Sequence, residues 1–146
     1  MKKLSIAVIC CMCLSFMQWQ SDFETAQKIA KEKHELILLN FSGSDWCGPC
    51  MRLRREILDN AAFTKMADTS LVLVNADFPR NKKNQLDAAT QKQNDALADK
   101  YNPDGKFPYT LLLDADGKIL KTWDGLPSQS AEEFADDVAG ICSALK

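Results

Sequence analysis

The sequence predicts an α/β fold, a small mixed four-stranded sheet with helices on both faces. Three observations carry that expectation. Two short apolar runs, 36–41 (Leu-Ile-Leu-Leu-Asn-Phe) and 71–76 (Leu-Val-Leu-Val-Asn-Ala), have the continuous hydrophobicity of strands covered on both faces. Helix-forming stretches lie before, between and after them, so a crossover joins the two strands and they pair in parallel. Further on, 109–113 and 118–123 flank Asp114-Ala115-Asp116-Gly117, a hairpin signal with glycine where positive φ is needed.

The elements follow in order from residue 21. Ser21 or Asp22 caps a helix reaching about Lys33, with Phe23, Ala26, Ile29 and Ala30 on one face. After the first strand, 42–46 form a loop, and a helix opens near Cys47 that carries Met51, Arg54, Ile57 and Leu58. A short helical piece after Asn60 contains Phe63 and Met66. Beyond the second strand, 78–84 is polar, contains Pro79 and reads as a loop. Helix formers dominate 84–101, with Leu86, Ala89, Leu97 and Tyr101 along one stripe. Asn102-Pro103-Asp104-Gly105 is a turn, and the hairpin follows. Ser128 or Ser130 caps the last helix, with Phe134, Val138, Ile141, Cys142 and Leu145 facing inward.

With 146 residues, 46% apolar and 26% charged, the chain has enough material for one core. The domain is expected over 21–146. A net charge of −2 gives no basic footprint, so no nucleic-acid partner is expected. Two basic clusters, Arg52-Leu53-Arg54-Arg55 and Arg80-Asn81-Lys82-Lys83, read as solvated faces rather than binding patches.

Residues 1–20 are set apart as a signal peptide or N-terminal membrane-targeting segment. Met1-Lys2-Lys3 is basic, and 4–17 then runs without a charge. Fourteen residues of helix rise only about 21 Å, short of the ~30 Å hydrocarbon core, which favours a cleaved signal over a spanning anchor. Cys10, Cys11 and Cys13 lie inside the segment and keep lipoprotein anchoring open as a second reading. The expected location is the periplasm or cell envelope. Removing the segment leaves Cys47, Cys50 and Cys142 of the six cysteines, one tight pair and one lone thiol.

The pair stands in Trp46-Cys47-Gly48-Pro49-Cys50, after a buried strand and at the opening of a helix. A thiol there faces unpaired backbone N–H groups and the positive dipole end, which favour its thiolate. Two intervening residues bring the sulfurs within bonding reach, and Pro49 suits a first turn because its absent N–H would be unpaired anyway. Cys47 is the expected nucleophile and Cys50 the buried resolver. A zinc site would need a second close pair. His34 and Cys142 are the remaining candidates and do not form one, so no metal and no cofactor are expected. His34 reads as a polar residue at a helix end, and Cys142 as a core thiol.

Trp46-Cys47-Gly48-Pro49-Cys50 after a buried strand resembles the thioredoxin signature. Phe107-Pro108-Tyr109-Thr110 ahead of the hairpin resembles the family's cis-proline loop, and Trp123-Asp124-Gly125 falls where members place a glycine near the substrate groove. The resemblance spans about 22–145, and the loop 41–46 is similar to that of exported bacterial members. It implies a thioredoxin-like three-layer α/β/α fold and a disulfide reductase acting on protein disulfides, re-reduced by an electron-donating redox protein at the membrane. It implies roles as well: Pro108 cis and against the sulfurs, the Phe107 backbone pairing with an extended substrate, and Trp46 shielding the pair. Gly48-Pro49 between the cysteines resembles the reducing members. An oxidase or isomerase on the same fold, and a non-catalytic binding module, are the alternatives.

Two positions depart from the family pattern. Its buried aspartate on the first strand is matched here by Asn40, and the lysine that pairs with it by Leu73. Asparagine is no base at neutral pH. Asp45 or Glu35, acting through water, are the expected substitutes in deprotonating Cys50.

Overall fold

Residues 19–145 are described by the computed structural model of the chain. The basic start, the apolar run and Cys10, Cys11 and Cys13 lie outside the described residues. Among the described residues there are five strands rather than four. They are β1 (Trp19–Gln20), β2 (Leu36–Ser42), β3 (Leu71–Asp77), β4 (Tyr109–Leu113) and β5 (Ile119–Asp124), in the order β1-β3-β2-β4-β5. The extra strand is β1, too short to show in a sequence pattern. Trp19 and Gln20 pair in parallel with Leu73 and Val74, so two described residues ahead of position 21 belong to the sheet. Strands β2 and β3 pair in parallel, while β2–β4 and β4–β5 are antiparallel.

Local chemistry sets the helix ends. Helix α1 (Phe23–Lys33) starts where the Asp22 carboxylate accepts from Thr25 N at 2.6 Å, and it stops at His34, which turns left-handed at φ 56°. Helix α2 (Gly48–Leu53) runs into a π-helical turn, Arg54–Leu58, and then α3 (Ala61–Ala67), capped by Asn60. Helix α4 (Ala88–Tyr101) opens later than the expected 84, because Asp87 caps the N–H groups of Ala89 and Thr90. Lys82–Asn84 is a separate 3₁₀ turn. Helix α5 (Ala131–Ala144) opens with a reciprocal pair, Ser130 and Glu133 each accepting the other's backbone N–H.

Alternation along β2 divides the core in two. Leu38 packs with Leu53, Leu58, Phe63, Leu73, Phe134 and Val138 under α2, α3 and α5. Ile37, Leu39 and Phe41 pack with Phe23, Ala26, Val72, Leu97 and Tyr101 under α1 and α4. Two expected core positions are corrected. Ala89 is exposed, because the buried stripe of α4 runs through Asn94, Leu97 and Tyr101 instead. Leu145 is 57% exposed past the end of α5, whose inner face uses Ala131 and Ala135.

Candidate active site

The site lies where β2 ends and α2 begins. The chain leaves β2 at Ser42 and turns tightly, with both Trp46 N and Cys47 N donating to Gly43 O. Gly43 is required here, since a Cβ at this position would overlap the Trp46 indole. Ser44 holds the loop to β3, its N–H donating to Asp77 Oδ1 at 2.8 Å and its hydroxyl to Oδ2 at 2.5 Å.

Cys47 is the N-cap of α2 and is joined by a disulfide to Cys50, with Cα atoms 5.2 Å apart. Cys50 N donates to Cys47 Sγ at 3.3 Å, a backbone N–H placed where a thiolate on Cys47 would be stabilised. Residue exposure barely separates the two, at 5% for Cys47 and 3% for Cys50. Gly48 and Pro49 lie exposed on the first turn between them. Cys142, buried in α5, has no part in the disulfide.

The 107–108 segment reaches the same end of the sheet. Phe41 pairs with Tyr109, which sets residue 108 beside residue 42, just ahead of the redox turn. The Phe107–Pro108 peptide bond is cis, and Pro108 is buried. Pro108 O accepts from Gly125 N at 2.9 Å, and Gly125 takes φ 82°, a conformation that favours glycine. Trp46 and Phe107 meet edge to face with centroids 5.4 Å apart, and Phe78 contacts Phe107 likewise at 5.6 Å.

Behind the disulfide is a cleft of about 210 Å³, lined by Cys50, Asn40, Ser42, Asn75, Arg54 and Asp59 among others. Its back wall is polar but neutral. Asn40, 4% exposed, donates from Nδ2 to Asn75 Oδ1 at 2.9 Å and accepts at Oδ1 from the Thr110 hydroxyl at 3.0 Å. Ser42 Oγ also donates to Asn75 Oδ1. Leu73 belongs to the apolar core beside Leu38. Asn40 therefore faces Asn75, its register partner on β3, which sequence reading missed. The signal was present: each apolar run carries asparagine as its fifth residue, and parallel pairing in register brings the two side by side.

Neither expected substitute base reaches this cleft. Glu35 precedes β2 at its far end, ~20 Å along the strand from Ser42. Asp45 lies on the opposite side, where Oδ1 accepts from Arg80 N at 2.9 Å and Oδ2 from Asn81 N at 2.8 Å and Asn84 Nδ2 at 3.0 Å. These donors, the Arg80 N–H foremost, hold its carboxyl below the usual carboxylate range. The carboxylate lining the cleft is Asp59, paired with Arg54 at 2.6 Å.

A strand, a redox turn opening a helix, and a cis-proline loop on the neighbouring strand define a class. The chain belongs to the thioredoxin-like family of thiol–disulfide oxidoreductases, and the family's thioredoxin-like domain matches residues 23–138. Among its relatives is a protein of Chlamydia pneumoniae, the disulfide bond reductase DsbH. The two are 34% identical over 130 residues, which is 89% of this chain and 74% of that protein. The thioredoxin-related protein DsbJ of the same organism is 28% identical over 123 residues, 84% of this chain but 34% of the longer relative. A solved structure of a DsbH oxidoreductase superposes with a TM-score of 0.75 at 31% identity, covering 88% of this chain and 84% of that one.

Proposed function

We propose that this chain is an exported reductase of protein disulfides, working through a Cys47/Cys50 dithiol–disulfide cycle. The observation that carries the reading is the disulfide itself, closed across the N-cap of α2 with a backbone N–H on Cys47 Sγ. Similarity to a disulfide bond reductase supports the direction. In the reduced protein, the Cys47 thiolate attacks one sulfur of a substrate disulfide. A Cys47–substrate disulfide forms, and the second substrate sulfur leaves as a thiolate that takes up a proton. Cys50, having lost its proton to water in the cleft behind it, attacks Cys47 Sγ. The Cys47–substrate bond breaks as the Cys47–Cys50 bond forms, the bound substrate sulfur leaves as a thiolate that takes up a proton, and two electrons have passed to the substrate. An electron-donating redox protein at the membrane returns the pair to the dithiol.

In this reading Gly48 and Pro49 shape the turn, Trp46 shields the sulfurs, and the Phe107 backbone beside Pro108 pairs with the extended substrate. Export rests on the basic start and charge-free run of 1–17. Cleavage ahead of Trp19 keeps β1 in the sheet, so the mature chain from the native host should start near residue 18 by mass spectrometry. A full-length chain would contradict export by cleavage. Direction is tested by insulin-disulfide reduction and by the redox potential. The expected potential lies near the ~−270 mV of thioredoxin, and a value near the ~−120 mV of strong thiol oxidants would reverse the reading.

A further inference from the structure

Arg80 belongs to a basic cluster that sequence reading assigned to a solvated face. It is exposed, and its guanidinium also lies over the Trp46 indole, 3.7 Å from the ring centroid, one residue from Cys47. The arrangement is held from several sides. Asp45 grips the backbone N–H of Arg80 and of Asn81, and Trp46 Nε1 donates to Phe78 O at 2.7 Å. The 78–84 loop is thus fastened to the loop that precedes the redox pair. Between them lies an open cleft of about 600 Å³, walled by Trp46, Phe78, Arg80, Gly105 and Phe107.

The charge at this cleft is unbalanced. Among the described residues, no carboxylate lies within ion-pair distance of Arg80, Lys82 or Lys83. Asp45 spends both carboxylate oxygens on backbone and amide donors, and Lys106 across the cleft is paired with Asp124 at 2.7 Å. Arg80, the cation in the wall of this cleft, therefore has no ion-pair partner, on a chain whose net charge is −2. An aromatic floor with an unmatched, pre-positioned guanidinium above it fits a peptide that offers an apolar contact and a carboxylate.

We propose that Arg80 is a specificity-determining residue that selects substrates with an acidic side chain next to the cysteine under attack. The inference rests on the disulfide-reductase reading and adds the substrate's charge to it. The Trp46–Phe107 edge receives the apolar part of the substrate, and the guanidinium receives the carboxylate at the cleft's outer rim.

The test uses three peptide dimers, each joined by one disulfide and identical except for Glu, Gln or Lys after the cysteine. Second-order rate constants are measured for their reduction by the reduced full-length protein. The expected order is Glu, then Gln, then Lys, with about threefold to fivefold per step at low salt, shrinking at high salt. The readout is the Glu-to-Lys ratio, which a general loss of activity leaves in place. Arg80→Gln should bring that ratio close to one, Arg80→Glu should invert it, and Arg80→Lys should keep its sense. A wild-type ratio near one, or an unchanged ratio in Arg80→Gln and Arg80→Glu, would overturn the selection while leaving disulfide reduction standing. Failure to reduce any of the three peptides would overturn the reductase reading and this inference with it.

Discussion

The wall behind the disulfide carries its polar groups as buried neutral pairs, whereas the rim in front carries charges in water. Behind Cys50, Asn40 is joined to Asn75 and Thr110, and Ser42 completes the row. In front of Cys47, Trp46, Phe78, Arg80 and Phe107 wall an aromatic cleft, and Asp45 holds the Arg80 backbone. Burying an ion without a partner costs several kcal/mol in practice, but a satisfied amide ladder avoids that cost. A charge at the rim keeps its solvation and acts on approaching molecules. Changes at the rear should therefore register in stability and its pH dependence, and changes at the front in loop order and substrate choice.

The largest effect is expected from introducing charge at the rear. Asn40→Asp puts a carboxylate at a buried position whose hydrogen-bond partners are the Asn75 amide and the Thr110 hydroxyl, and should lower stability by about 2–3 kcal/mol at neutral pH. Burial raises the folded-state pKa of that carboxyl above its unfolded value of about 3.9. The folded mutant then holds its proton to higher pH than the unfolded chain does. The penalty is thus absent below about pH 4 and grows as pH rises through the raised folded value. Melting curves at acid and neutral pH check this, and equal losses at both would contradict a buried carboxylate. The same mutant should resolve mixed disulfides at least as fast as wild type in stopped flow, because a base now stands at the cleft.

Gly43→Ala comes next, at about 1–2 kcal/mol, since the new Cβ and the Trp46 indole cannot share one place. Thermal melting should show the loss, and an unchanged melting temperature would mean that the indole moves aside freely. Arg54→Gln breaks the Asp59 pair but should cost less than about 1 kcal/mol, because both side chains are about half exposed and screened by water.

Asp45→Asn is expected to act locally. The lowered pKa of Asp45 means that its hold on the 80–84 segment is complete above the usual carboxylate range and is lost as pH falls through the lowered value. Amide exchange at Arg80 and Asn81 should speed up in the mutant at neutral pH, and in wild type only at strongly acid pH. Unchanged protection in the mutant would show that Asp45 does not hold the loop.

The fold and the redox pair were legible because long patterns carry them. Two apolar runs and a hairpin signal fix four strands, and the cysteines with their proline announce their turn. What the sequence left hidden depends on register or on a single long-range contact. Trp19–Gln20 is too short to show periodicity, and it becomes a strand only because the edge of β3 is open to it. Asn75 meets Asn40 through strand register, so aligning residue types pointed to Leu73 instead. Asp45 looked like a spare base and is a clamp, while Arg80 is exposed as expected but also lies on an indole. Neither contact shows in the sequence, since the loop at 78–84 docks across more than thirty residues of sequence.

The central claim is that Cys47 attacks substrate disulfides and Cys50 resolves the product. It is tested most directly by trapping. Cys50→Ser and Cys47→Ser are each incubated, reduced, with a disulfide-bonded peptide, and the adducts are weighed by mass spectrometry under non-reducing conditions. The account predicts a persistent mixed disulfide on Cys47 in Cys50→Ser and none in Cys47→Ser. Adducts of equal yield in both variants, or an adduct confined to Cys50, would contradict it.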